Sequence, residues 1–115
     1  MTASVTAWES VPAVEVYPGV TRQTVSGASA TVVRYSYAPG SVFPMHSHHE
    51  EQVTIVHAGR IIFTVADDEL ELGPGQVAVI AGGVPHGARV VGDELVVTDN
   101  YIPSGQRAPL RIEES

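Results

Sequence analysis

The chain has 115 residues, a length typical of one domain, and residues 1–115 are expected to form a single domain. Cysteine and lysine are absent, which excludes disulfides, thiolate metal sites, cysteine nucleophiles and Schiff-base chemistry on lysine. The formal net charge of −7 argues against nucleic acid and anionic membranes as partners. Residues 1–11 contain no basic residue and no long apolar block, so no secretory signal is predicted and a cytoplasmic location is expected.

Dense β-branched residues, with glycine and proline at short intervals, predict an all-β fold. A weak strand is predicted within residues 14–24. Stronger strands follow at residues 30–38, 41–48, 52–57, 60–65, 69–72, 76–80, 86–91 and 94–102. Turn residues such as Pro39-Gly40 and Gly92-Asp93 separate them. Short strands with turns this close are typical of a β-sandwich or barrel.

Two patterns within these strands bear on packing. In the last strand Leu95, Val97, Asp99 and Tyr101 share one face, because side chains alternate along a strand. Residues 52–56 and 77–80 are apolar on both faces, and such strands are usually covered on both sides by a second sheet or a second subunit. A homodimer is therefore expected.

Three of the five histidines lie within residues 46–49. On a strand, His46 and His48 point to the same face and bring two imidazoles close together. Two converging imidazoles are what a divalent metal ion prefers, and His86 on a later strand is a further candidate. The alternative for each is an ordinary surface or hydrogen-bonded histidine, and His57 is expected to face solvent at a strand end.

The spacing around these histidines resembles the two motifs of the cupin superfamily. The first, at residues 40–59, has Gly40, five residues, His46-x-His48, three residues, Gln52, six residues and Gly59. The second, at residues 75–90, has Gly75, five residues, Ala81-x-Gly83, two residues and His86. The resemblance implies a cupin-type antiparallel β-barrel, or jelly roll, with one divalent metal ion inside. It implies the ligands His46, His48, Gln52 and His86.

Gln52 stands where the family usually has glutamate, Ala81 where it has proline, and Val90 where it has asparagine. A glutamine ligand is neutral, so the donor set leaves the charge of the ion uncompensated and favours Lewis-acid chemistry over oxygen activation. Zinc, nickel and manganese fit this set, and iron fits less well. A carboxylate from Glu50 or Glu51 is the alternative ligand. The motif spacing favours Gln52, and strand parity excludes Glu51 if the strand is regular.

Within the superfamily, the chain resembles small cupins that convert unsaturated uronates to open keto forms, and also zinc-type polyketide cyclases. In the first group an aspartate, an aromatic residue and an arginine near the end of the chain serve the substrate. Asp99 and Tyr101 match, whereas Arg107 lies two residues beyond the expected position.

These three residues are the catalytic candidates. Asp99 would exchange a proton if its face lines the barrel, Tyr101 would form a pocket wall or donate a proton, and Arg107 would anchor a substrate carboxylate. The alternatives are a turn-capping aspartate, a core tyrosine and a surface arginine.

The resulting interpretation is a metal-dependent enzyme that acts on a small oxygen-rich molecule by tautomerisation, cyclisation or dehydration. A cupin dioxygenase and a non-catalytic small-molecule-binding cupin are the alternatives.

Overall fold

The computed structural model describes residues 3–104, in which almost all of the regular secondary structure is β-strand. A short 3-10 helix at Trp8–Ser10 precedes them. The strands are β1 (Val14–Tyr17), β2 (Val20–Ser26), β3 (Ala30–Tyr37), β4 (Val42–His46), β5 (Gln52–Ala58), β6 (Arg60–Val65), β7 (Asp68–Leu72), β8 (Val77–Ile80), β9 (His86–Val91) and β10 (Val96–Pro103). Over this part of the chain, no helix has the length and apolar character needed to cross a membrane.

The strands form two antiparallel sheets, as in a jelly-roll β-sandwich. The larger sheet has six strands in the order β1-β2-β3-β10-β5-β8, and the smaller has four in the order β4-β9-β6-β7. From β3 onward the chain passes repeatedly between the sheets, which pairs segments that are far apart in sequence. The register of β4 against β9 places His46 directly opposite His86. The all-β prediction is confirmed.

The core lies between the two sheets, and burial alternates along the strands as the pleat requires. In β3, Val33, Tyr35 and Tyr37 are buried, whereas Arg34 and Ser36 point outward. Phe43 of the smaller sheet packs against this face. Its ring contacts that of Tyr35 edge to face, with centroids 5.2 Å apart. Such aromatic contacts add to the apolar burial that holds the two layers together.

Two sequence expectations about strand limits are corrected. The single weak strand within residues 14–24 is a hairpin of β1 and β2, turning at Pro18 and Gly19, where Gly19 has φ +80°. The strand expected over residues 41–48 ends at His46, and residues 47–51 are irregular. His48 therefore approaches His46 from a loop rather than from a shared strand face.

Gly59 and Gly40 allow a matched test of the turns at the two ends of the first motif. Both have positive φ, +76° and +80°, but a Cβ at Gly59 would lie 2.6 Å from the carbonyl oxygen of Leu95, whereas a Cβ at Gly40 meets nothing within 4 Å. We expect Gly40→Ala to lower the free energy of unfolding by roughly 1–2 kcal/mol through left-handed strain. Gly59→Ala should cost about 1–3 kcal/mol more through the clash. Urea unfolding measures both, and equal losses would contradict the clash.

Candidate metal centre

Three histidines converge where β4 pairs with β9. His46 ends β4, His86 begins β9, and His48 follows in the loop after β4. One ring nitrogen from each lies within 4.8 Å of those of the other two. The ring centroids of His46 and His86 are 4.3 Å apart, and those of His48 and His86 are 4.9 Å apart. One ion is within reach of all three rings.

The same kind of hydrogen bond orients each ring. Every Nδ1 contacts a backbone carbonyl oxygen two residues away in sequence. These pairs are His46 with Pro44 at 2.9 Å, His48 with Glu50 at 3.0 Å, and His86 with Val84 at 2.9 Å. Because a carbonyl oxygen only accepts, each Nδ1 carries the proton and donates it. The lone pair of each neutral ring is therefore on Nε2.

Two of these Nε2 atoms are buried without a hydrogen bond. Within residues 3–104, neither Nε2 of His46 nor Nε2 of His86 has a partner. Burial lowers the pKa of His46 to about 4, and the nearby His86 and His48 act in the same direction. Burial also lowers the pKa of His86. An unsatisfied buried acceptor costs about 1–3 kcal/mol, so two neutral imidazoles held in this way fit a divalent cation well.

Gln52 lies beside the histidines at the start of β5 and is buried. Its Nε2 donates to Thr54 at 2.8 Å and to Asn100 at 3.1 Å, so its Oε1 faces the rings. That oxygen lies 3.2 Å from Nε2 of His48. Both atoms are acceptors, so a proton on the ring or a metal cation between them would make this contact favourable. Neighbouring ligands of a tetrahedral ion with bonds of ~2.0–2.1 Å lie about 3.3 Å apart, which matches this separation.

Neither neighbouring glutamate takes this place. The carboxylate of Glu50 lies 3.8 Å from Nδ1 of His48, on the side of the ring away from Nε2. Glu51 is exposed, and the histidine group includes no carboxylate from the described residues. The parity argument against Glu51 does not apply, because residues 47–51 are not a regular strand. The geometry favours Gln52 for a different reason, the direction in which its amide oxygen faces.

Asp99 and Tyr101 point away from the histidines. Asn100, between them on β10, contacts Gln52 inside the barrel, so its two neighbours face outward. Tyr101 is 44% exposed. The proton-transfer role of Asp99 required this face of the strand to line the barrel, and that condition is not met, because the core takes the alternate residues Val96 and Ile102. Neither side chain is brought to the histidine group. The third catalytic candidate, Arg107, lies outside the described residues, and its role stays a prediction.

Asp99 instead anchors a polar cluster on the outer face of the six-stranded sheet. Arg34 donates to both of its carboxylate oxygens, at 2.8 and 2.9 Å, and Nε2 of His57 donates at 2.8 Å. Burial opposes ionisation of Asp99, but these hydrogen bonds outweigh it and hold its pKa below the ordinary value. The guanidinium also lies 4.6 Å from the ring centre of Trp8. This cluster, Trp8, Arg34, His57 and Asp99, joins β3, β5 and β10 to the N-terminal segment.

A small cavity of about 20 Å³ lies beside the histidines, with room for about one water molecule. Tyr35, Tyr37, Phe43 and Phe63 contribute to its lining, and no described carboxylate does. Burial raises the pKa of the Tyr35 and Tyr37 phenols, which therefore stay protonated at neutral pH. The interior beside the histidines is uncharged.

Sequence reasoning missed the partners of Gln52, which are Thr54 and Asn100. The available signal was parity: Gln52 and Thr54 share one face of β5, and Asn100 shares one face of β10 with Val96, Thr98 and Ile102. The register pairs Asn100 with Thr54 across the two strands. That pairing is not visible in the sequence.

Comparison with known proteins extends these observations. Residues 33–98 match the family described as Cupin domain. KdgF from Halomonas sp. superposes with a TM-score of 0.80 and 23% identity, covering 91% of this chain and 97% of that chain. An RmlC-like cupin from Shewanella frigidimarina gives 0.78 and 20%, covering 91% and 95%. The polyketide cyclase RemF from Streptomyces resistomycificus gives 0.77 and 21%, covering 89% and 80%. Comparison of the sequence with curated proteins finds no match.

The family match covers more than half of the chain and includes His46, His48, Gln52 and His86. The solved structures, at identities of 23% or below, share the fold. This chain belongs to the cupin family.

Proposed function

We propose that the protein binds one divalent metal ion through Nε2 of His46, His48 and His86 and Oε1 of Gln52. It then acts on a small oxygen-rich substrate. The observation that carries this proposal is the convergence of four neutral donor atoms, two of them buried and without a hydrogen bond from the described residues. The Nδ1 bonds to backbone carbonyls support it, because metal-binding histidines usually have their second nitrogen held in this way.

When bound, the ion would supply Lewis-acid polarisation of a substrate carbonyl or enol oxygen. The residues around the site leave its positive charge uncompensated, because all four donors are neutral and no described carboxylate lines the cavity. This favours keto–enol tautomerisation, cyclisation or dehydration, for example of an unsaturated uronate or a polyketide. Zinc, nickel and manganese are the candidate ions, and iron is less suited because the neutral donor set does not favour oxygen activation.

The size of the cavity limits how a substrate is held. About 20 Å³ beside the histidines accepts one oxygen-sized group and not a sugar ring. The substrate would therefore present a single oxygen to the centre while the rest of the molecule stays outside this space. The protonated phenols of Tyr35 and Tyr37 border that oxygen-sized space and supply donors rather than bases.

Metal content tests the centre directly. We expect wild-type protein to retain close to one equivalent of zinc after dialysis, measured by plasma mass spectrometry. His46→Ala and His86→Ala should each lose most of it, because each removes a donor atom. His57→Ala is the matched control, because it deletes a histidine from the outer face of the sheet and should keep the metal. Equal metal in wild type and in His46→Ala and His86→Ala would rule out the centre.

Gln52→Glu tests the neutrality of the donor set. The substitution adds a negative charge at the ligand position, so metal should stay bound, more tightly than in wild type, while turnover at saturating metal falls. We expect a decrease of about tenfold, equivalent to about 1.4 kcal/mol in the activation barrier. Turnover is measured on a keto–enol or cyclisation substrate that the wild-type protein converts. Gln76→Glu adds the same charge at an exposed turn and should change neither quantity. Unchanged affinity and rate in Gln52→Glu would remove Gln52 from the site.

We further propose that the protein is a homodimer formed through the outer face of the six-stranded sheet. Val32, Tyr101, Val53 and Val79 lie in one row across β3, β10, β5 and β8. Val79 is 64% exposed and Tyr101 44%. A second copy of the same face would cover this apolar row and remove it from water.

Light scattering at micromolar concentration tests the dimer. The expected mass is twice the chain mass of 12.2 kDa. Val79→Arg should yield the single-chain mass, because it places a charge in the apolar row. Val42→Arg, at a valine of the smaller sheet that is 53% exposed, should leave the mass unchanged. A wild-type mass equal to that of one chain would end the proposal.

A further inference from the structure

We infer that Thr54 and Asn100 are positioning residues that hold the side-chain amide of Gln52 with its oxygen toward the metal centre. The inference rests on the proposed function, because it concerns how one of the four ligands is presented. An amide has two unlike ends of similar shape, and only the oxygen can bind a cation. Some contact in the fold must therefore decide which end faces the histidines.

The orientation of the Asn100 amide is set by a backbone atom, the carbonyl oxygen of Val33. Asn100 is buried, and its Nδ2 donates to the carbonyl oxygen of Val33 at 3.2 Å. A carbonyl oxygen cannot donate, so reversing the Asn100 amide would set two oxygens against each other. The Oδ1 of Asn100 is therefore held on the side toward β5, where Gln52 and Thr54 lie.

Asn100 passes this orientation to Gln52 directly and through Thr54. Its Oδ1 accepts from Nε2 of Gln52 at 3.1 Å and also from the hydroxyl of Thr54. Because that hydroxyl gives its proton to Asn100, Thr54 is left as an acceptor for Gln52, at 2.8 Å. Both protons of the Gln52 amide are thus used. Its Oε1 is left to face His48, at 3.2 Å from Nε2.

The sheet register brings Asn100, Thr54 and Gln52 together, and we call their hydrogen bonds the relay. Asn100 pairs with Val33 on one side and with Thr54 on the other, and Gln52 is two residues before Thr54 on the same face of β5. Three adjacent strands, β3, β10 and β5, therefore supply one continuous set of hydrogen bonds inside the barrel. A glutamate at position 52 would have two equivalent oxygens and would need no such orientation. The relay affects metal binding only because the ligand is an amide, whose two ends differ.

A double-mutant cycle on metal affinity tests the relay. We expect Thr54→Val and Asn100→Leu each to weaken zinc binding by about tenfold to a hundredfold, measured by competition with a chromophoric chelator. In the Gln52→Ala background, neither substitution should weaken it further, because the group they orient is gone. The visible absorption of the cobalt-loaded single variants should shift toward that of cobalt-loaded Gln52→Ala. Thr54→Ser, which keeps the hydroxyl, should restore the wild-type affinity and spectrum.

Thr31→Val is the control for the loss of a buried hydroxyl. Thr31 is 1% exposed on the same sheet, its hydroxyl bonds to Ser104 rather than to Gln52, and its loss should leave metal affinity unchanged. Thr54→Val is nearly isosteric, so it carries the test if Asn100→Leu does not fold.

The outcomes separate the relay from the centre. Losses of affinity that add in the Gln52→Ala background, or no loss in Thr54→Val, would overturn the relay while leaving the centre in place. Unchanged affinity in Gln52→Ala would remove Gln52 as a ligand and overturn the relay with it. A wild-type protein that binds no zinc would overturn the proposed function itself.

Discussion

The hydrogen bond from each histidine Nδ1 to a backbone carbonyl oxygen fixes which ring nitrogen carries the proton. It commits the proton of every ring to the protein and leaves the Nε2 lone pairs of His46, His48 and His86 facing one another. Lone pairs in a buried space repel one another, and a buried acceptor without a hydrogen bond costs free energy. The fold tolerates this because the pairing of β4 with β9 holds two of the rings rigidly in place. A site of this kind is preorganised for a cation before any cation arrives.

The groups around the three histidines are also uncharged. Aromatic rings and amides line the cavity, and the described carboxylates nearest in sequence, Glu50 and Glu51, lie outside it. A positive charge placed there meets dipoles and lone pairs but no formal negative charge. In a medium of low polarity, dipoles fixed in direction act strongly on such a charge. The direction of each one therefore matters, and an amide ligand in particular depends on neighbours that define which end it presents.

Local patterns in the sequence predicted the strands well, because alternation depends on residues close together in the chain, and alternation in β3 indicated which side chains are buried. The convergence of His86 with His46 and His48 was implied only by the resemblance to the cupin motifs, because His86 is far from the other two in the chain. Which face of β10 points inward could not be predicted, because alternation shows which residues share a face but not which face is inside. Val97, Asp99 and Tyr101 share the outer face, whereas the core takes Val96 and Ile102. The contacts of Asn100 were out of reach, because they depend on the pairing of β10 with both β3 and β5.

Two consecutive residues of β10 belong to different hydrogen-bond networks, one charged and one neutral. Asp99 faces outward into an ion pair with Arg34, whose side chain is 25% exposed, and Asn100 faces inward into a network of neutral groups. Asp99 loses its charge when the pH falls through its lowered pKa, so acid weakens the outer network. The amides and the hydroxyl of the inner network have no charge to lose. The backbone of a single strand therefore separates contacts that depend on pH from contacts that do not.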